Sequence, residues 1–171
     1  MRTEAQRSKR VASYLTATLT VLMLIRCVIA WPDLPDPMAS HFDGNGVPNG
    51  FQSRATFMSI LFGTQAMLAF SFVVGPRLMR FIPPALISLP YASYWRRPQH
   101  IGEALDRYAA WSMWFLFGNF TMMFGIFELV LQSNLNLQPM NATLMWIVVG
   151  GYMVGALIGI VRLFAAFKPP A

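Results

Sequence analysis

A chain of 171 residues with 56% hydrophobic and 12% charged residues and a mean hydropathy of +0.48 is far more apolar than a soluble domain, where about a quarter of residues are charged. The net charge of +6 would suggest nucleic acid if the cations lined one soluble face. They flank apolar runs instead, so the composition describes an integral membrane protein without a nucleic-acid partner.

The first apolar run is Val11 to Trp31, preceded by the basic residues Arg2, Arg7, Lys9 and Arg10. It is long enough to cross a hydrocarbon core, which needs about 20 helical residues. A cleaved signal peptide is the rival reading, with Val28 and Ala30 at peptidase spacing before Trp31. Arg26 fits that reading badly, and losing the span would leave strongly basic segments on opposite sides. Cys27 is the only cysteine; it lies inside the span and says nothing about redox compartment.

The connection Pro32 to Arg54 follows. Prolines 32, 35 and 37 forbid helix and favour a stiff path, while Gly44, Gly46 and Asn49-Gly50 supply cheap turns. It reads as a shaped loop. His41 stands among Asp33, Asp36 and Asp43, beside Phe42. One histidine with carboxylates is a poor zinc set, and Asp43-Gly44-Asn45-Gly46 departs from a calcium loop at Val47 and Pro48. Three roles stay open for His41: holding the loop's shape, binding a metal, or meeting a ligand together with Phe42, Asp36 and Asp43. The expectation adopted is ligand contact, with no metal and no cofactor.

Ala55 to Gly75 is the second span, with Gln65 near its middle. The connection Pro76 to Tyr108 carries prolines 76, 83, 84, 90 and 98 and five arginines, 77, 80, 96, 97 and 107. Its Tyr94, Trp95, Arg96 and Arg97 belong at lipid-headgroup level, so the segment should lie along the inner surface, either as an anchor or as a docking surface for a cytoplasmic regulator. From Pro98 the chain can restart as helix, with Glu103 and Asp106 in its early turns.

The third span, Ala109 to Leu131, holds Asn119 near mid-depth. Asn119 and Gln65 would each be costly facing lipid and should hydrogen-bond across the helices. Glu128 lies three residues before the outer end of this span and Arg26 five before that of the first. At about 1.5 Å per residue their depths differ by about 3 Å, which suggests a pair. The fourth span, Leu144 to Ala166, repeats glycine at Gly151, Gly155 and Gly159, a flat strip for close backbone approach.

Eleven of the thirteen basic residues lie in the N-terminal tail, the central connection and the C-terminal end, which holds Arg162 and Lys168, and only Arg54 lies in the other two connections. The positive-inside rule then puts both termini and the central connection in the cytoplasm. The expected architecture is an all-α, single-domain four-helix membrane bundle over residues 1–171, with a shaped outer loop and an interfacial inner loop. No His-Glu-x-x-His, Gly-x-Ser-x-Gly or phosphate loop occurs, so no enzyme is expected.

Two segments together carry a family resemblance. Leu34-Pro35-Asp36, His41-Phe42, Gly46, Pro48, Gly50 and Arg54, followed by Leu86 to Pro90, Tyr94-Trp95 and Pro98, resemble bacterial membrane proteins with domain of unknown function 1648. The chain departs at Ala39, where the family usually has proline, at Asn49 and Phe51, where it favours aspartate and tryptophan, and at Tyr91, where it favours asparagine. The better understood relatives are longer Sdp-type immunity and signal-transduction proteins, which protect a producing cell from a secreted peptide toxin and can hold a repressor at the membrane. The resemblance implies the bacterial inner membrane, a peptide ligand at the outer face, and no catalytic residue. A small transporter, or a transporter subunit acting as a homo-oligomer, is the alternative function.

Overall fold

The computed structural model describes residues 4–170; Arg2 of the basic tail lies outside them. Four long helices dominate: α1 Glu4–Ala30, α2 Arg54–Leu78, α4 Ile101–Asn136 and α5 Ala142–Ala166, with a single turn α3, Ala92–Trp95, between α2 and α4. The shortest long helices, α2 and α5, have 25 residues each, about 38 Å at the usual rise. All four are long and apolar enough to cross a membrane, which fits a multi-pass membrane protein. Connection 31–53 is not irregular throughout: it forms a two-stranded antiparallel hairpin of β1 Met38–Phe42 and β2 Pro48–Gln52.

The helices begin where side chains can serve their unpaired amides. Ser53 Oγ accepts the Thr56 N–H at 3.1 Å before α2, and Asn141 Oδ1 accepts the Leu144 N–H at 3.0 Å before α5; both are N-cap bonds. Helix α4 ends on Asn136, after which Leu137 takes a left-handed φ of 52° and the Gln138 N–H returns to the Ser133 carbonyl at 3.1 Å. This closes a Schellman motif, with leucine where glycine is usual.

By contacts the chain divides into two compact units, each drawing residues from all four long helices. The first comprises residues 1–16, 67–118 and 154–171. Its core packs Ile87, Leu89, Trp95, Leu105 and Phe167, with Trp95 Nε1 donating to the Phe167 carbonyl at 2.6 Å. Arg96 holds the chain's path there by giving two hydrogen bonds to the Ile87 carbonyl, at 3.0 and 2.8 Å. Trp111 Nε1 also donates to the Gly159 carbonyl at 2.9 Å.

The second unit comprises residues 17–66 and 119–153. Its core packs Met23, Leu34, Met38, Met58, Phe127 and Leu131, so the hairpin's first strand shares a core with helix side chains. Gly125 allows a close approach in this unit: a Cβ there would lie 3.0 Å from Val148 Cγ1.

Candidate functional site: a locked hairpin

The hairpin begins with a 3-10 turn, Trp31–Asp33, because Pro32 fits an early turn position and cannot continue α1. The strands meet at residues 43–47. Asp43 builds this turn itself: its Oδ1 accepts the N–H groups of Asn45 and Val47, both at 2.9 Å. Its backbone also exchanges bonds with Val47 and Gly46. Gly46 is obligatory for two reasons. Its φ is +83°, and a Cβ would fall 1.9 Å from the Met140 carbonyl oxygen. That close approach serves a purpose, since the Met140 N–H donates to the Gly46 carbonyl at 2.8 Å. Trp146 Nε1 adds a bond to the Gly44 carbonyl at 3.2 Å.

A second lock acts on β1. The Ala39 N–H donates to Asn134 Oδ1 at 2.7 Å, and Asn134 Nδ2 returns to the Ala39 carbonyl at 2.9 Å. The side-chain amide thereby imitates a neighbouring strand on the edge of β1 that β2 leaves open. The third lock is Arg54, whose guanidinium donates to the Trp31 carbonyl at 2.9 Å, lies 5.0 Å from the Trp31 ring centre, and stands 3.7 Å from Asp36.

These contacts divide the four residues expected to meet a ligand. His41 is exposed, its Nδ1 3.2 Å from Ser40 Oγ, with its ring backed by Gly50, where a Cβ would approach His41 Cβ to 3.0 Å. Phe42 is half-buried against the core that holds Met38. Asp36 turns to Arg54, and Asp43 is spent on the turn. Among the described residues no three His, Cys, Asp or Glu side chains gather as a metal would need.

Sequence reasoning did not single out Asn134, Gly46 or Arg54 as locks. An asparagine in the last turn of an apolar helix was the available signal for the first. Nor did it find the cleft of ≈ 290 Å³ beside the hairpin, lined by Pro35, Pro37, Pro48, Phe51, Leu137 and Pro139 among others. Phe51 and Leu137 are 63% and 82% exposed at this apolar cleft.

The polar residues within the spans have these places. Arg26 and Glu128 form a two-bond ion pair, Nε to Oε2 at 3.0 Å and Nη2 to Oε1 at 2.8 Å, with Gln132 donating to the same carboxylate at 3.3 Å. Gln65 is buried and donates to Met23 Sδ at 2.7 Å. Asn119 accepts the Tyr152 hydroxyl at 3.1 Å. Of the glycine strip, Gly151 and Gly155 have nothing within 4 Å of a Cβ position, whereas Gly159 meets Trp111.

In the segment expected at headgroup level, Arg97 is exposed, but Trp95 is only 2% exposed and sits in the core on Phe167. Tyr94 stacks on His100 with ring centres 4.2 Å apart. Tyr91 has a left-handed φ of 52°, the conformation that asparagine tolerates better than tyrosine.

Comparison with known proteins gives one match. Residues 18–65 match the model of a family described as domain of unknown function (DUF1648), which supports the resemblance. The match covers the end of α1, the whole hairpin and the start of α2; segment 86–98 lies outside it. No curated protein and no solved structure matches the chain.

Proposed function

We propose that the chain is a non-enzymatic protein of the bacterial inner membrane, of the toxin-immunity or envelope signal-transduction type, with hairpin 32–54 as its ligand-facing site. The observation that carries this reading is the triple locking of the hairpin through Asn134, Met140 and Arg54, with His41 left exposed on it. A loop held in one conformation before binding loses little entropy on binding, and rigidly supported loops are where recognition tends to reside. The family match over the same residues fits a membrane protein.

Both termini and connection 79–100 then face the cytoplasm, with the hairpin on the outside. Single cysteines at Asn49 and Asn136, in a Cys27→Ala background, should react with an impermeant thiol reagent in intact cells or spheroplasts; cysteines at Ser8 and Ser93 should not. Labelling at Ser8 before lysis would reverse the orientation.

The functional test is protection of a sensitive bacterium from secreted peptides, comparing wild type, His41→Ala and Phe42→Ala at measured membrane abundance. His41→Ala should reduce protection at normal abundance. Full activity of both variants at normal abundance would leave the hairpin a purely structural element. The transporter reading draws on the outward Gly151 and Gly155 as a contact between copies. It would be preferred if proteoliposomes showed solute flux without protection. Against it, Arg26, Glu128 and Asn119 are engaged in pairwise contacts, which leaves them poorly placed to line a polar path.

A further inference from the structure

Between Arg80 and Ile87 the chain runs Phe81-Ile82-Pro83-Pro84-Ala85-Leu86, six consecutive apolar residues that are all exposed. Phe81 is 86% and Leu86 74% exposed. In water such a run would be a large apolar patch of the kind that marks an interaction site. Its backbone is already prepared for an apolar medium, where each unpaired N–H is expensive. Pro83 and Pro84 have no N–H. Ile82 donates to the Met79 carbonyl at 3.3 Å, Leu86 to Pro83 at 2.9 Å and Ile87 to Pro84 at 3.2 Å. The end of the run is fixed from behind, because Ile87 and Leu89 are buried beneath Trp95 and Arg96 grips the Ile87 carbonyl.

Charge points to the same partner. The unit containing this run holds ten described lysines and arginines against Glu4, Glu103 and Asp106, whereas the other unit holds Arg26 and Arg54 against four acids. Arg80 is bound to Asp106 and Arg107 to Glu103. Arg77 and Arg97, one before the run and one after it, are exposed and form no ion pair among the described residues.

We propose that residues 81–86 form a wedge inserted among the acyl chains of the leaflet they face, and that Arg77 and Arg97 beside it bind the phosphates of anionic phospholipids. A soluble protein partner would exchange hydrogen bonds as well as make apolar contact, and this run has few main-chain N–H donors left to offer it. Arginine suits phosphate because its planar fork can give two parallel bonds.

The test uses the full chain in vesicles of three parts phosphatidylcholine to one part phosphatidylglycerol. Nitroxide labels are attached to Phe81→Cys, Leu86→Cys and Gln99→Cys in a Cys27→Ser background, with helix content checked for each. Labels at 81 and 86 should collide more often with oxygen than with a water-soluble nickel chelate, and the label at 99 the reverse. Nickel access at both 81 and 86 would overturn the wedge and identify the run as a surface for a soluble protein. Retention of phosphatidylglycerol over phosphatidylcholine by the purified chain, read by native mass spectrometry, should fall about fivefold for each of Arg77→Gln and Arg97→Gln. An unchanged lipid ratio in the double variant would overturn the phosphate assignment.

Discussion

Replacing Asn134 by alanine tests the hairpin lock most directly. Asn134 is 4% exposed and Ala39 is 6% exposed, so in the wild type these groups bond each other rather than solvent. Three hydrogen bonds disappear: from the Ala39 N–H, to the Ala39 carbonyl, and to the Val130 carbonyl at 2.9 Å. The Val130 carbonyl keeps its helical partner and its loss is minor. The Ala39 amide is different, since a buried N–H without a partner costs about 1–3 kcal/mol and each bond contributes about 1 kcal/mol net. The combined effect is about 2–4 kcal/mol, concentrated on the hairpin. At about 1.4 kcal/mol per tenfold, opening of β1 should become about 30- to 700-fold more frequent. Hydrogen-exchange mass spectrometry in nanodiscs reads this as faster exchange of a peptide covering residues 38–42, with helix peptides of α2 and α5 unchanged. Equal exchange in variant and wild type would refute the reasoning, because it would mean that the amide of Asn134 does not serve as the missing strand.

Further outcomes follow from other particular contacts. Gly46→Ala meets both a positive φ and the Met140 carbonyl oxygen at 1.9 Å, so it should cost more than about 2 kcal/mol and detach the turn; unaltered thermal unfolding would exclude this geometry. Arg26→Leu or Glu128→Leu alone leaves an unpaired charge within a span, costing up to about 3 kcal/mol, so each should lower folded yield more than the double variant does. Additive losses would mean that the two charges are independent. Leu137→Gly removes a side chain from a left-handed position and should raise the melting temperature modestly, by about 0.5–1 kcal/mol in stability. A fall would show that the exposed leucine contributes contacts worth more than its backbone strain.

Much of this molecule was legible from its sequence, because crossing a membrane imposes conditions that are local in the chain. Apolar length alone locates the four helices. Depth matching pairs Arg26 with Glu128 because a rigid 1.5 Å rise converts sequence position into height. Proline and glycine density marks segment 32–54 as shaped, since those residues restrict or free the backbone wherever they occur. What only the tertiary structure decided are the contacts between residues far apart in sequence. The outer edge of β1 is satisfied by Asn134, 95 residues away, and no local signal specifies that partner. Trp95 is a tryptophan among arginines, and by pattern belongs at the headgroups; it is buried because Phe167 closes over it, 72 residues away. The glycine strip on α5 is a local pattern, yet of its three members only Gly159 meets a side chain, Trp111, while Gly125 on α4, outside the strip, meets Val148 more closely, because helix rotation decides which face meets a neighbour. Apolar length set which segments are able to cross a membrane, and long-range packing set which side chains of the hairpin are buried and which, like His41, stay exposed.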